Sequence, residues 1–394
     1  MRYALYEYKT ENIGDEIQSI AARRFLPRVD EYVNRDEIGM WSPKEPTKII
    51  MNGWYMHSPY AWPPSSSFID PLLISMYVDQ KDPKVGESFF SEESRQYCQA
   101  HGAIGARDLS TRDYLLSQGI DSFFSGCMTL TLQRDPDIEK QDYILAVDVP
   151  DSIVNLIKKH TNRPVIVSSP YYDAELQRDD RFQLAEYFLY LYQSAHAVVT
   201  TRLHAMLPSL ALETPVLLIK DSYKYESARY AGLDNLVYSL TEDEYLADFS
   251  KYNINEPPEN KQEYIAIRNE LIERVSSFTG YNNTKSFRTV DFSKIACNEA
   301  YIRLFTSGFH ALNRAALLYG DKLWLQEEKR DLQNIVNELR SDNSHLQSNL
   351  EQLRGTVDRL NQNIQSIYSS KTWRIGKTII APAVWIKNFL RGRD

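Results

Sequence analysis

Over residues 142–220, short apolar segments of strand character alternate with helix-length segments. "DYILAVDVP", "DSIVNLIKKHT", "PVIVSS", "RFQLAEYFLYLYQSA", "AHAVVTT", "RLHAMLPSLALE" and "PVLLIK" follow one another with short connections. Strands separated by helices pair in parallel, and a parallel sheet needs helices on both faces. This alternation leaves little room for any architecture but a doubly wound α/β sheet.

A similar series precedes it. "RYALYEY" reads as a strand and "DEIQSIAARRFL" as a helix with Ile17, Ile20, Ala21 and Phe25 on one face. "TKIIMNGWY" and "PLLISMYV" read as buried strands. "HGAIGAR" leads into "STRDYLLSQG", where Ser110 and Asp113 suggest a capping box and Gly119 a helix end. "DSFFSGCMTLTL" closes the set, and the polar run "QRDPDIEKQ" reads as a linker. A chain of 394 residues can hold two such units and more. The expected fold is therefore α/β: two Rossmann-like domains facing a cleft, at 1–132 and 142–275. A helical connector is expected at 276–320, a coiled coil at 321–368 and a basic aromatic tail at 369–394.

The coiled coil is read from a seam with alternating spacings of four and three: Leu325, Lys329, Leu332, Val336, Leu339, Asn343, Leu346, Leu350, Leu353, Val357, Leu360, Ile364 and Ile367. It implies a homo-oligomer, with Asn343 as a polar seam residue that can fix register. The alternative is a long helix lying on its own protein. The tail sets Lys371, Arg374, Lys377, Lys387, Arg391 and Arg393 among Trp373, Trp385 and Phe389, with Pro382 interrupting any helix. That chemistry suits an anionic membrane surface; a solvated or self-packed tail is the other reading.

A net charge of −8 and a pI near 5.5 argue against a nucleic-acid partner. Cys98, Cys127 and Cys297 form no C-x-x-C pair, so no metal or redox motif is visible. The acidic start lacks a signal-like apolar core, and no run reaches the roughly 18 apolar residues of a membrane span. The expectation is a cytoplasmic protein, with the tail placing it peripherally on the inner face of the membrane.

Ligands of doubly wound sheets bind beyond the carboxyl ends of the strands, against helix N-termini. Three junctions qualify. In "KTENIGDEIQ", Asn12 and Gly14 suit a tight turn; Asp15 either caps the helix with Gln18 or presents a base to the cleft. In "GARDLSTRD", Arg107 follows a buried strand and either pairs with Asp108 or Asp113 or points into the cleft. In "VVTTRLHAMLPSLALE", Arg202 and His204 fall in the first helical turn, where a cation opposes the helix dipole unless an anionic ligand offsets it; a satisfied core histidine is the other reading of His204.

These stretches resemble the polysaccharide pyruvyl transferases. "NIGDEIQSIAA", "NGWYMHSPYAWPPSSSFIDPLLIS", "GARDLSTRDYLLSQGIDSFFSGCMTLTL", "VVTTRLHAMLPSLALETPVLLI" and "ARYAGLDNL" occur in the family's order over about residues 1–240. The resemblance implies a GT-B-like fold with the acceptor on the first domain and the donor on the second. It also implies phosphoenolpyruvate as donor substrate with no cofactor or metal, and a saccharide or lipid-linked saccharide acceptor of cell-surface polysaccharide synthesis. It places Arg202 and His204 on the donor, His204 as proton donor, Arg107 as a second cation, and Asn12, Gly14, Asn52 and Trp54 along the substrate. Asp15 is then the candidate for the hydroxyl proton. One departure is that Asp148 stands where many members carry an arginine. A glycosyltransferase using a nucleotide sugar on the same architecture is the alternative.

Overall fold

The structure is a computed structural model that describes residues 1–55, 62–171, 176–221, 225–284, 287–289, 292 and 299–378, with side chains in the last segment described from Lys329 on, 331 and 338 excepted. It divides into two compact units, Met1–Leu317 and Leu318–Asp394.

The first unit contains two wholly parallel sheets, as the alternation requires. Strands β1 Arg2–Glu7, β2 Glu31–Asn34, β3 Thr47–Tyr55, β4 Ile69–Val78, β5 Ile104–Ala106 and β6 Ser122–Phe124 form one, in the order β2-β1-β3-β4-β5-β6. Its helices are α1 Gly14–Arg23, α2 Pro83–Phe89, α3 Glu92–His101 and α4 Leu109–Ser117. Strands β7 Ile144–Val147, β8 Val165–Ser168, β9 Ala197–Thr200, β10 Val216–Lys220 and β11 Tyr238–Thr241 form the other, in the order β11-β10-β9-β7-β8. Its helices are α5 Asp151–His160, α6 Arg178–Ser194, α7 Leu203–Ala211, α8 Ser227–Tyr230 and α9 Glu242–Ala247. In each sheet the first strand lies between the second and the third. The order reverses there, and the crevice beyond those strand ends is where doubly wound sheets bind ligands.

The two sheets are joined by a continuous apolar core rather than by a linker alone. Ile13, Ile17, Ile20 and Phe25 at α1 pack with Met128 and Leu130, with Phe182, Tyr187, Phe188 and Leu191 of α6, and with Met206 and Leu210 of α7. Each such buried side chain contributes about 1.5–3 kcal/mol. A buried ion pair crosses the same interface: Arg181 Nη2 lies 2.6 Å from Glu16 Oε1, and Arg181 also donates to the Thr10 carbonyl at 3.0 Å. The polar run 133–141 is anchored too, since Ile138 is buried and Asp135 accepts from Arg288 Nε at 2.7 Å. Each sheet has a further apolar cluster on its outer face.

Helix α10, Tyr264–Thr279, closes on Gly280 in the left-handed region, so the expected boundary at 275 falls inside a helix. Helix α11, Glu299–Ser369, begins inside the expected connector and covers the residues of the expected coiled coil. Its seam residues Leu332, Val336, Leu339, Leu346, Leu350, Leu353, Val357, Leu360, Ile364 and Ile367 are exposed in the single chain. Residues 371–378 are helical, while Pro382, Trp385, Lys387, Phe389, Arg391 and Arg393 lie outside the described residues, as does Cys297.

Candidate functional site

At the reversal point of the second sheet, β7 and β9 end side by side, with Val147 opposite Thr200. Asp148 follows β7 with φ +53°, a conformation that aspartate tolerates better than most residues. Its Oδ2 accepts from Arg202 Nε at 2.6 Å. Arg202 Nη1 donates to the Tyr171 hydroxyl at 3.1 Å, and the guanidinium stacks 4.6 Å from the Tyr171 ring centre. Arg202 is the N-cap of α7, in extended backbone, not a residue of its first turn. The expectation that only a ligand offsets this cation is therefore corrected: Asp148 does so within the chain.

His204 sits in the first turn with non-helical backbone, φ −89° and ψ 17°. It is partly buried between elements of the two sheets. On one side is Gly14, where a Cβ would stand 2.6 Å from His204 Nδ1. On the other is Cys127, whose Sγ is 3.7 Å from Nε2 and accepts from Thr129 Oγ1 at 3.3 Å. Burial first, then the charges of Arg107 and Arg229, push the imidazole well below the usual histidine range. Both effects disfavour the protonated imidazole, the form that a proton donor needs.

Arg107 follows β5 and is 1% exposed. Its guanidinium carbon stands over Tyr77, 4.3 Å from the ring centre, and its Nη2 is 3.4 Å from Asp108 Oδ2. Neither Nε nor Nη2 has a hydrogen-bond acceptor. Asp108 is its ion-pair partner, whereas Asp113 pairs with Arg112. Asp108 is also the N-cap of α4, accepting from the Thr111 amide at 2.9 Å; the cap is two residues earlier than the Ser110 expected from sequence.

Sequence reading did not single out Arg229. Its guanidinium covers the Trp54 ring at 4.4 Å, Trp54 meets Tyr77 edge to face at 5.1 Å, and its Nε has no acceptor. Burial, then Arg107, weakens its hold on its proton. The neighbouring residues carry it across from the second sheet to the first. Tyr230 donates to the Thr201 carbonyl at 2.7 Å, the Leu109 amide donates to the Ala231 carbonyl at 3.0 Å, and Gly232, at φ +82°, presses on Leu109 where a Cβ would stand 2.7 Å away. The available signal was "ARYAGLDNL", a family-like stretch whose arginine was passed over.

The other expected residues divide. Gly14 abuts His204 and Trp54 supports Arg229, so both belong to the cluster. Asn12 bridges to Tyr171, and its Oδ1 accepts from the Gly14 amide at 3.0 Å, joining the turn before α1 to the residue that stacks on Arg202. Asn52 is buried at an irregularity of β3, and its Nδ2 has no acceptor. Asp15 lies inside α1, whose N-cap position is Ile13, so it does not cap the helix. Its carboxylate accepts from Thr10 Oγ1 at 2.6 Å and Gln18 Nε2 at 3.2 Å, with Arg35 Nη1 at 3.6 Å. Among the described residues no group of His, Cys, Asp and Glu could hold a metal ion.

The family model for polysaccharide pyruvyl transferases matches residues 12–223, just over half of the chain, and includes Gly14, Arg107, Arg202 and His204. No curated protein matches. Among solved structures, an uncharacterized protein of Klebsiella pneumoniae is 12% identical over 61% of this chain and 92% of its own, with a TM-score of 0.38. A UDP-N-acetylglucosamine 2-epimerase is 13% identical over 74% and 100%, at 0.38. The wall teichoic acid polymerase TagF is 12% identical over 80% and 89%, at 0.33. All three are remote likenesses.

Proposed function

The chain belongs to the polysaccharide pyruvyl transferase family, and we propose that it moves pyruvate from phosphoenolpyruvate onto two hydroxyls of a sugar as a ketal. The sugar would belong to a cell-surface polysaccharide or its precursor, with phosphate released. The observation that carries this reading is Arg107, a fully buried cation whose Nε and Nη2 lack acceptors and whose charge reaches His204. A buried guanidinium with unused donors suits a carboxylate or a phosphate.

In the proposed reaction one proton goes to the methylene carbon of the donor. Two sugar oxygens bond to its central carbon, the bond from that carbon to the phosphate oxygen breaks, and the sugar gives up two hydroxyl protons. One of those protons balances the methyl group formed, and the other leaves with phosphate. Before the donor arrives, burial and the charges of Arg107 and Arg229 disfavour a proton on His204. The donor's negative charge offsets Arg107 and Arg229, so the imidazole gains a proton that it can pass to the methylene carbon, and it is then free to take one from an attacking hydroxyl. Asp15, committed to Thr10, Gln18 and Arg35, is assigned to holding the turn before α1. Arg202, held by Asp148 and Tyr171, lines the same crevice from the second sheet, and the two sheets would act as the acceptor and donor halves of a GT-B-like enzyme.

Phosphate release from phosphoenolpyruvate with a saccharide acceptor should be lost in Arg202→Ala and His204→Ala proteins that thermal melting shows to be folded at the assay temperature. Unchanged turnover in both would sink the assignment. A nucleotide sugar would offer a diphosphate to the same arginines. Calorimetric titration separates the two, because saturable binding of a UDP-, GDP- or CMP-sugar with none of phosphoenolpyruvate would favour a glycosyltransferase.

We also propose that α11 self-associates through its seam and that the tail holds the enzyme peripherally on the cytoplasmic face of a membrane. Lys371, Trp373, Arg374 and Lys377 lie in the described part of the tail, with Trp373 exposed. No helix among the described residues is long and apolar enough to cross a membrane. Sedimentation with vesicles containing anionic lipid, but not with neutral ones, is the expected outcome; equal sedimentation with both would remove the tail's role.

A further inference from the structure

We propose that Arg229 and Arg107 together form an anion clamp that binds the phosphate group of the donor, with Arg229 supplying the second cation of the site. The inference rests on the pyruvyl-transfer reading only in naming the donor; the clamp itself follows from the geometry. Each guanidinium carbon stands over an aromatic ring, Arg107 over Tyr77 at 4.3 Å and Arg229 over Trp54 at 4.4 Å, and those rings meet edge to face at 5.1 Å. Stacking uses the π face and leaves the in-plane N–H edge for hydrogen bonds. Those edges are where the unused donors lie: Arg107 Nε and Nη2, and Arg229 Nε, all buried.

Two guanidiniums held this way repel each other, and Arg107 is among the groups that weaken Arg229's hold on its proton. The acidic groups nearby do not cancel both charges. Asp108 is 3.4 Å from Arg107 and is engaged by the Thr111 amide; Glu226, the N-cap of α8, is 2.8 Å from Lys81. A fold that keeps like charges together among buried donors gains from a bound anion. Arg202 is a poorer second cation, because Asp148 Oδ2 already accepts from its Nε at 2.6 Å. The clamp therefore sits on the first sheet's side of the crevice, with His204 beside it.

Isothermal titration of the full-length protein with inorganic phosphate tests the clamp without any turnover. Wild type should bind phosphate saturably, Arg229→Gln should weaken binding by about tenfold to a hundredfold, as expected for a lost charge-assisted hydrogen bond, and Arg229→Lys should recover part of it. In turnover, Arg229→Gln should raise the KM for phosphoenolpyruvate more than it lowers kcat. Thermal melting of each variant guards against misfolding, and the lysine variant keeps the test valid if glutamine proves unstable. No saturable phosphate binding by wild type, or equal binding by a folded Arg229→Gln protein, overturns the clamp. Phosphate binding that needs Arg229, with no turnover of phosphoenolpyruvate on any saccharide, upholds the clamp and removes the donor reading. Turnover with a KM indifferent to Arg229 does the reverse.

Discussion

Gly14 and His204 touch across the two sheets: a Cβ at Gly14 would stand 2.6 Å from Nδ1 and 2.8 Å from Cβ of His204. The atoms met are near the backbone of α7, so they cannot swing away as the end of a long side chain would. Gly14→Ala should displace the imidazole from its place beside Cys127. We expect kcat for phosphate release to fall at least about tenfold and stability to fall by roughly 1–3 kcal/mol, the usual cost of overpacking. Steady-state kinetics and urea unfolding measure the two, and an alanine variant with wild-type values for both would show that the contact relaxes freely.

The state of His204 gives a pH dependence whose sign is fixed. Its folded value lies well below the ordinary one near 6.5, because of burial first and then Arg107 and Arg229. As pH falls through about 6.5 the unfolded chain takes up a proton at this position that the folded chain refuses, so stability falls with pH. His204→Gln should flatten that decline between roughly pH 6.5 and 5. An anion between the arginines should raise the folded value, so phosphate binding near pH 6 should draw protons from the buffer. Titration in buffers of different ionisation enthalpy reads this directly, and equal proton uptake by wild type and His204→Gln would exclude His204 as the group responsible.

Asp148 and Arg202 form a partly buried pair, with side chains 14% and 25% exposed. Removing either leaves the other charge without its partner, so Asp148→Ala and Arg202→Ala should each cost about 1–3 kcal/mol. The double variant should lose less than the sum of the singles. Urea unfolding of the four proteins measures the coupling; additive losses would mean that the pair contributes nothing as a pair.

The places of these residues were easier to read than their partners. The strand-helix alternation located the end of β9 and the start of α7, because strand pairing and helix period act on neighbouring residues. What Arg202 bonds to was hidden, since Asp148 is 54 positions earlier and reaches it only because β7 and β9 pair. Arg229 was missed for the same reason: nothing local shows that α8 docks on α4 and carries that arginine to Arg107. The capping reading of Asp15, one of the two its sequence allows, rests on the "DEIQ" pattern, but the chain from Asn12 to Gly14, tied to Pro170 and Tyr171, starts the helix two residues earlier. The apolar stripe of α1 was legible, but not that the second sheet's helix α6 would cover it.

Glu16 and Arg181 join the two sheets as a buried pair, with side chains 1% and 3% exposed. Leaving one of two buried charges behind is among the more damaging single changes, at about 3–5 kcal/mol. Glu16→Ala and Arg181→Ala should both lower the unfolding midpoint, and Glu16→Gln, which keeps an acceptor, should lose less. Losses within about 0.5 kcal/mol of zero, the range of ordinary surface substitutions, would show that this pair does not hold the sheets together.

Helix α11 carries its apolar seam to solvent in the single chain, from Leu332, 56% exposed, to Ile367, also 56% exposed. A stripe of that length with polar flanks is stable in water once it meets another helix. The catalytic residues proposed above all lie within the unit that ends at Leu317. A protein lacking residues 321–394 should therefore keep phosphate release while sedimenting as a smaller species than the full chain. Replacing Leu346 and Leu353 with Asp in the full-length protein should dissociate it without affecting kcat. Asn343→Leu should strengthen association and loosen its stoichiometry, because a polar seam residue restricts register. Analytical ultracentrifugation measures each outcome, and a full-length protein that stays monomeric at micromolar concentration would assign the seam to some other surface.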